Sequence, residues 1–363
     1  MTRYEDVRAV LSDSRFSAGG PRLGDGTPAD APHTPPPGMF IFMDPPEHTR
    51  FRRLLTGKFT VRRMQQLAPL VEQFVAERLD AMARAESPID LVREFALPVP
   101  SLVICELLGV PYADREEFQR NSARMISLTA GLEANHEARE AMRSHLRRLV
   151  LAKRAEPTDD ILSELVQAGE LTDDILSELV QAGELTDEEL AGVGSLLLIA
   201  GHETTANMIA LSALCLLRNP EQLAALRADP TLMDGAVEEL LRYLTIVQYG
   251  ARRIALEDVE LHGHLIKAGS PVVASLTSGN RDAAQFSDDP DRLDLMRKHS
   301  PHLAFGHGIH QCLGQQLARV EMKAALGALF DRFPTLRLAV PLEDVPMRHD
   351  MLVYGVHALP VTW

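Results

Sequence analysis

Apolar residues recur at helical spacing through most of this chain. Residues 187–217 read as one long apolar helix, and residues 5–12 as a short one. From Pro46 to Ala85 the pattern is helical, basic at first and then apolar. Residues 95–110 and 114–127 continue as helices, interrupted at Gly109-Val110-Pro111. A charged helical segment covers 133–155, and 220–228 and 232–245 follow. Strand signals come late, at Val259-Glu260-Leu261, Pro271–Ala274, Arg337–Val340 and Leu352–Thr362. Residues 19–38 are rich in Gly and Pro and read as irregular. The expected fold is mainly α with a small β portion.

One stretch is duplicated. Thr158 to Leu171 reads TDDILSELVQAGEL, and Thr172 to Leu185 repeats it letter for letter. Each copy opens on Thr-Asp-Asp, good chemistry for a helix start, and carries Gly near its end. Two copies are too few for a solenoid. The tandem copy at 158–185 therefore reads as extra helix inserted on the surface, where insertions are tolerated.

Composition narrows the class. The 363 residues are 45% hydrophobic and 24% charged, enough to build a large core. Three cysteines with no paired framework fit a reducing cytoplasm. The N-terminal Met1-Thr2-Arg3-Tyr4-Glu5-Asp6 is polar and has no signal-like apolar core. The most apolar stretch, Leu190–Gly201, has 12 residues, while a spanning helix needs about 20, so no membrane anchor is expected. A net charge of −14 argues against nucleic-acid binding. Against that acidic background, Arg50, Arg52, Arg53, Lys58, Arg62 and Arg63 form a basic cluster suited to an acidic partner.

The chemistry concentrates at Cys312. It sits in Phe305-Gly306-His307-Gly308-Ile309-His310-Gln311-Cys312-Leu313-Gly314, just before an apolar helical pattern. A helix N-terminus stabilises negative charge on sulfur. The glycines remove side chains where a large flat ligand must approach the backbone. A haem iron held by Cys thiolate receives electron density that favours O–O cleavage. Three other readings stand beside this one. Cys312 could be an inert core cysteine, the glycines could mark only a turn, or His302, His307 and His310 could join Cys312 around zinc. Cys105 and Cys215, each within an apolar run, read as packing residues.

The decapeptide closely resembles the cysteine-ligand loop of the cytochromes P-450, the haem-thiolate monooxygenases. The resemblance runs from about residue 4 to the C-terminus and is strongest to soluble bacterial members. It implies that residues 1–363 form a single domain of that family's fold. It also implies a haem b cofactor with Cys312 as metal ligand and Phe305, Gly306 and Gly314 in the cofactor loop. Ala200-Gly201-His202-Glu203-Thr204-Thr205 resembles the family's oxygen-binding groove. There Glu203 would be the acid and Thr204 the alcohol of a proton relay, with Ala200 and Gly201 leaving room for O₂. A Gly followed by hydroxyl residues also invites a kink in the helix. His48 and Arg52, together with Arg253 and His310, match contacts to the haem propionates. Glu239 and Arg242, with Arg292 as third member, resemble the brace behind the cysteine loop.

The implied activity inserts one oxygen atom from O₂ into a bulky, mostly hydrophobic organic molecule, in natural-product tailoring or xenobiotic oxidation. Met39, Phe40, Ile41 and Phe42 would line an apolar wall of the substrate pocket. A ferredoxin with an NAD(P)H-dependent reductase would supply electrons in the cytoplasm. A non-catalytic haem-binding relative and a haem-free scaffold are the alternatives. Two departures from the family stand out. Ala283 replaces a common Pro, and the chain begins after the initial helix and first strands that relatives carry. The fold is therefore expected to lack those elements and to bare a sheet edge.

Overall fold

In a computed structural model of the chain, the expected long helix spans Asp187–Arg218. Its start is fixed by reciprocal bonds. Thr186 N–H donates to Glu189 Oε2 (2.8 Å), and Glu189 N–H donates to Thr186 Oγ1 (3.2 Å), the two halves of a capping box. The structure describes residues 1–20, 34–167, 185–287, 289–298 and 301–363. The irregular reading for 21–33 and the second repeat copy lie outside the described residues, apart from Leu185. Cα proximity divides the chain into two units. The first comprises Met1–Phe16, Val61–Pro100 and Glu203–Trp363, and the second Ser17–Thr60 and Ser101–His202.

In the first unit, helix Gln315–Arg332 packs against Ala68–Arg84 and Met233–Leu244. Ala68–Arg84 buries Val71, Val75, Leu79 and Met82, a stripe at helical spacing. Gln315–Arg332 answers with Leu317, Met322, Leu326, Leu329 and Phe330. At roughly 1.5–3 kcal/mol per enclosed large side chain, this seam fixes the helix that follows Cys312. Helix Tyr4–Ser12 contributes Tyr4, Val7, Val10 and Leu11 to a separate cluster with Val272, Ala274, Phe286 and Leu303.

The β portion is antiparallel. Ala251–Ala255 pairs with Pro271–Ala274, Ala251 opposite Ala274. Val259–Leu261 and His264–Ile266 make a hairpin around His262 and Gly263, whose φ of 50° and 77° suit a tight two-residue turn. Ile89–Asp90 and Arg337–Leu338 flank Pro360–Thr362. The hydrophobic pattern does not predict Ala251–Ala255, because two adjacent arginines interrupt the apolar signal. It also overextends the last strand, which is confined to Pro360–Thr362. The helical reading of Pro46–Ala85 resolves into Glu47–Thr56, Val61–Gln66 and Ala68–Arg84, with breaks near Gly57 and before Pro69.

In the second unit, Leu132–Ala155 packs against both Arg115–Ile126 and Ile161–Gln167. The expectation of a surface insertion fails for the start of the first repeat copy. Ile161, Leu162, Leu165 and Val166 are all buried. Just upstream, Lys153 Nζ lies 2.6 Å from Asp160 Oδ2, and Thr158 hydrogen-bonds both side chains. Ser163 N–H donates to Asp160 Oδ1 (2.8 Å) and its hydroxyl to Asp160 Oδ2 (3.0 Å). Burial opposes ionisation of Asp160, but these bonds outweigh it and hold the carboxyl below its ordinary range. Among the described residues, no helix is long and apolar enough to cross a membrane.

Candidate functional site

Of the three cysteines, Cys105 and Cys215 are buried and Cys312 is exposed. Burial pushes the Cys105 thiol up to about 12 and the Cys215 thiol up to about 11. Both are packing residues, as their apolar surroundings imply. Cys312 is the thiol open to a ligand. Its N–H donates to the Phe305 carbonyl at 2.8 Å and closes the glycine-rich loop. Gly308, at φ 73°, lies on helix Tyr4–Ser12, where a Cβ would run into the Leu11 carbonyl oxygen. Gly306 and Gly314 face the other way, since a Cβ on either would meet nothing within 4 Å. Helix Gln315–Arg332 begins directly after Gly314. An accessible soft thiol beside two open glycine faces is the donor chemistry and the space that a haem requires.

The histidines around this loop have other engagements. His302 Nε2 lies 3.1 Å from Glu238 Oε2, and Arg8 Nε donates to His307 Nε2 at 3.3 Å. Burial and the Arg8 charge hold the His307 imidazole below its usual value. Among the described residues, no three His, Cys, Asp or Glu side chains converge as a metal site. The zinc alternative therefore has no geometry behind it. His310 ends the short 3₁₀ turn Gly308–His310.

Two adjacent glutamates on Met233–Leu244 brace the loop's surroundings. Glu239 takes Arg242 through Nε (2.7 Å) and Nη2 (2.8 Å). The third member of this group is Arg297, whose Nε lies 3.2 Å from Glu239 Oε1. Arg292, the expected third member, instead directs its side chain to Asp294 at 3.2 Å. Its carbonyl does accept from Arg242 and Arg297. Glu238 receives a fork from Arg319, Nε at 2.6 Å and Nη2 at 2.9 Å. Burial works against the Glu238 anion, but the bonds from His302 and Arg319 bring it down to about 2. Arg319 also lies over the Phe305 ring, 4.6 Å from its centroid. Sequence reading missed Glu238, Arg319 and Arg297. The nearest signal was Arg319's place on the helix that follows Cys312.

The long helix supplies the second feature. From Leu190 to Leu216 every position is buried except Ile199, Ala200, Gly201 and Thr204. These four form one accessible step on an otherwise enclosed helix. The helix is α through Gly201 and its hydroxyl neighbours. Gly201 is close-packed rather than open on its Cβ side, where an added Cβ would stand 2.7 Å from Ile104 Cδ1. Glu203 is 4% exposed, and Arg348 Nη1 donates to its Oε2 at 3.1 Å.

The remaining residues divide by unit. Arg253, in the first, is a buried member of Ala251–Ala255, and its Nη1 donates to the Arg252 carbonyl (2.8 Å). In the second, His48 is buried on Glu47–Thr56, four residues before the half-buried Arg52. The Phe40 ring lies 6.2 Å from both the His48 and Phe51 rings. Phe40 is therefore core, while Ile41 is 41% exposed, and the expected wall of four apolar residues is not uniform. Two members of the expected basic cluster are spent on internal pairs, Arg50 with Glu189 and Lys58 with Glu164.

A sequence model of a family described as "Cytochrome P450" matches residues 1–357. "Cytochrome P450 105C1" of a Streptomyces species is 51% identical over 363 residues, covering 100% of this chain and 88% of that protein. A "Vitamin D3 dihydroxylase" of Streptomyces griseolus is 47% identical over 367 residues, covering 100% of this chain and 87% of the relative. Among solved structures, CYP105P1 in complex with filipin I superposes with a TM-score of 0.92 at 46% identity, covering 100% of this chain and 89% of the other.

Proposed function

This chain belongs to the cytochrome P450 family, and from that premise we propose that Cys312 holds the haem iron while Glu203 and Thr204 manage protons for oxygen insertion. The protein is a haem-thiolate monooxygenase using haem b, and its close relatives act as hydroxylases and oxygenases. The observation that carries the site reading is the exposed Cys312 thiol, in a loop left open by Gly306 and Gly314, in a chain whose other thiols are buried.

Held by the Cys312 thiolate, haem would supply the electron density that favours O–O cleavage. The chain's own groups do the rest. The accessible step of Ala200, Gly201 and Thr204 would leave room for O₂. Glu203 holds a proton-transferring carboxyl, and the Thr204 hydroxyl hands protons on by hydrogen bonding. His48, Arg52, Arg253 and His310 would each hold a propionate by a charge-assisted hydrogen bond. The substrate we infer is a bulky, mostly apolar organic molecule. Relatives named pentalenic acid synthase and vitamin D3 dihydroxylase, and the filipin complex, support that class. A ferredoxin and its NAD(P)H-dependent reductase supply electrons, and three cysteines that form no disulfide support a cytoplasmic setting.

The decisive test is spectroscopic. The reduced carbon-monoxide complex of the purified protein should absorb at the thiolate-specific position, and Cys312→Ala should abolish that band. A variant that keeps the band removes Cys312 as the ligand.

A further inference from the structure

Thr245 follows helix Met233–Leu244 in the left-handed region, at φ 35° and ψ 74°. A β-branched residue there is strained and persists only where its surroundings hold it. Asn280, fully buried, does the holding. Its Nδ2 donates to Thr245 Oγ1 at 2.8 Å. The hydroxyl donates in turn to the Arg242 carbonyl at 2.7 Å, while the Leu241 carbonyl stands farther off at 3.4 Å. Arg242 Nη1 comes back to the Asn280 main-chain carbonyl at 2.8 Å and closes a ring.

The other end of the same amide faces the cysteine loop. Leu303 N–H donates to Asn280 Oδ1 at 2.6 Å. A main-chain N–H can only donate, so the amide oxygen stands on the Leu303 side and the NH₂ on the Thr245 side. Leu303 is buried too, and its carbonyl accepts from Gly306 N–H at 2.8 Å. Phe305 lies inside that turn, and its carbonyl accepts from Cys312 N–H at 2.8 Å. One side chain thus joins the strained end of a helix to the main chain that carries Cys312. The Glu239 brace acts elsewhere, on Arg242, Arg297 and the Asp294 N–H. Linked bonds in a buried setting reinforce one another, and deleting one member strands its neighbours without partners.

We propose that Asn280 is a positioning residue that fixes the entry to the cysteine loop, so that the Cys312 thiolate keeps its place on the haem iron. This rests on the reading of Cys312 as the iron ligand. Asn280→Ala leaves the buried Leu303 N–H without its acceptor and releases Thr245. Asn280→Asp keeps an acceptor oxygen for Leu303 in either protonation state.

The holoenzyme is reduced, bound to carbon monoxide and held in urea at the same fraction of each variant's unfolding midpoint, and decay of the thiolate-specific absorption is timed. Asn280→Ala should lose it at least about tenfold faster than the parent, the scale of a buried donor left unsatisfied. Asn280→Asp should stay within about twofold of the parent. Val150→Ala is the control for destabilisation alone, since it hollows a buried position on Leu132–Ala155 in the other unit. It should decay like the parent. If Asn280→Ala does not fold, Asn280→Ser, whose hydroxyl is too short to span both partners, takes its place. Decay no faster than in Val150→Ala overturns the positioning role, and so does equally fast decay in Asn280→Asp and Asn280→Ala. If the parent itself shows no thiolate-specific band, the ligand reading fails and the role of Asn280 falls with it.

Discussion

Glu321 illustrates how far one residue's surroundings can move it. It is 1% exposed on Gln315–Arg332. Burial raises its carboxyl to about 8 against an ordinary 4.5, and the nearby Thr205 hydroxyl opposes the rise only in part. The folded state therefore holds a proton that the unfolded chain releases. The stability this group contributes is full below pH 4.5 and drains away as pH climbs toward 8. Glu321→Gln, neutral throughout, should be more stable than the parent at pH 8 by roughly 1–3 kcal/mol in urea unfolding. Equal stability would mean that the carboxyl is relieved in another way. Glu238 runs in the opposite direction: its contribution is present above pH 4.5 and is lost as pH falls toward 2. The contrast between exposed Cys312 and buried Cys105 and Cys215 was legible in sequence, because glycines and histidines surround the first and apolar residues the other two. Arg348, Arg319 and Arg297 were not, since each works through a partner 58 to 145 residues away.

Elements were read best where apolar residues run unbroken at helical spacing between clear stops. The long helix, Leu132–Ala155 and Pro220–Ala228 fall where the hydrophobic period puts them. Ala251–Ala255 escaped because its strand character comes from pairing with Pro271–Ala274 rather than from its own side chains. Two predictions belong here. Gly308→Ala must strain a left-handed backbone and push on Leu11, so thermal unfolding should show a loss of about 1–3 kcal/mol with weaker haem retention. Arg297→Ala leaves Glu239 short of one cation in an enclosed network and should cost about 3–5 kcal/mol, whereas Arg292→Ala, whose side chain reaches only Asp294, should cost far less. The reverse order in denaturant unfolding would restore Arg292 to the brace.

At the scale of the whole molecule, the net charge of −14 makes any exposed cation conspicuous to an acidic redox protein. Arg62, exposed, and the half-buried Arg63 lie together on Val61–Gln66 within the basic cluster. Reversing both to Glu should slow reduction of the iron by ferredoxin at low ionic strength, and added salt should narrow the gap between variant and parent. An unchanged rate at low salt would retire that surface. The large-scale reading was legible because function-bearing runs arrive in a fixed order along the chain. Sequence identity between the copies did not reveal that the start of the first one belongs to the core. Excising either copy of TDDILSELVQAGEL yields one and the same polypeptide. That shortened chain still spells Lys153, Thr158, Asp160 and Ser163 at their present spacing, and it passes from Leu171 straight to Thr186 with leucine again at the junction.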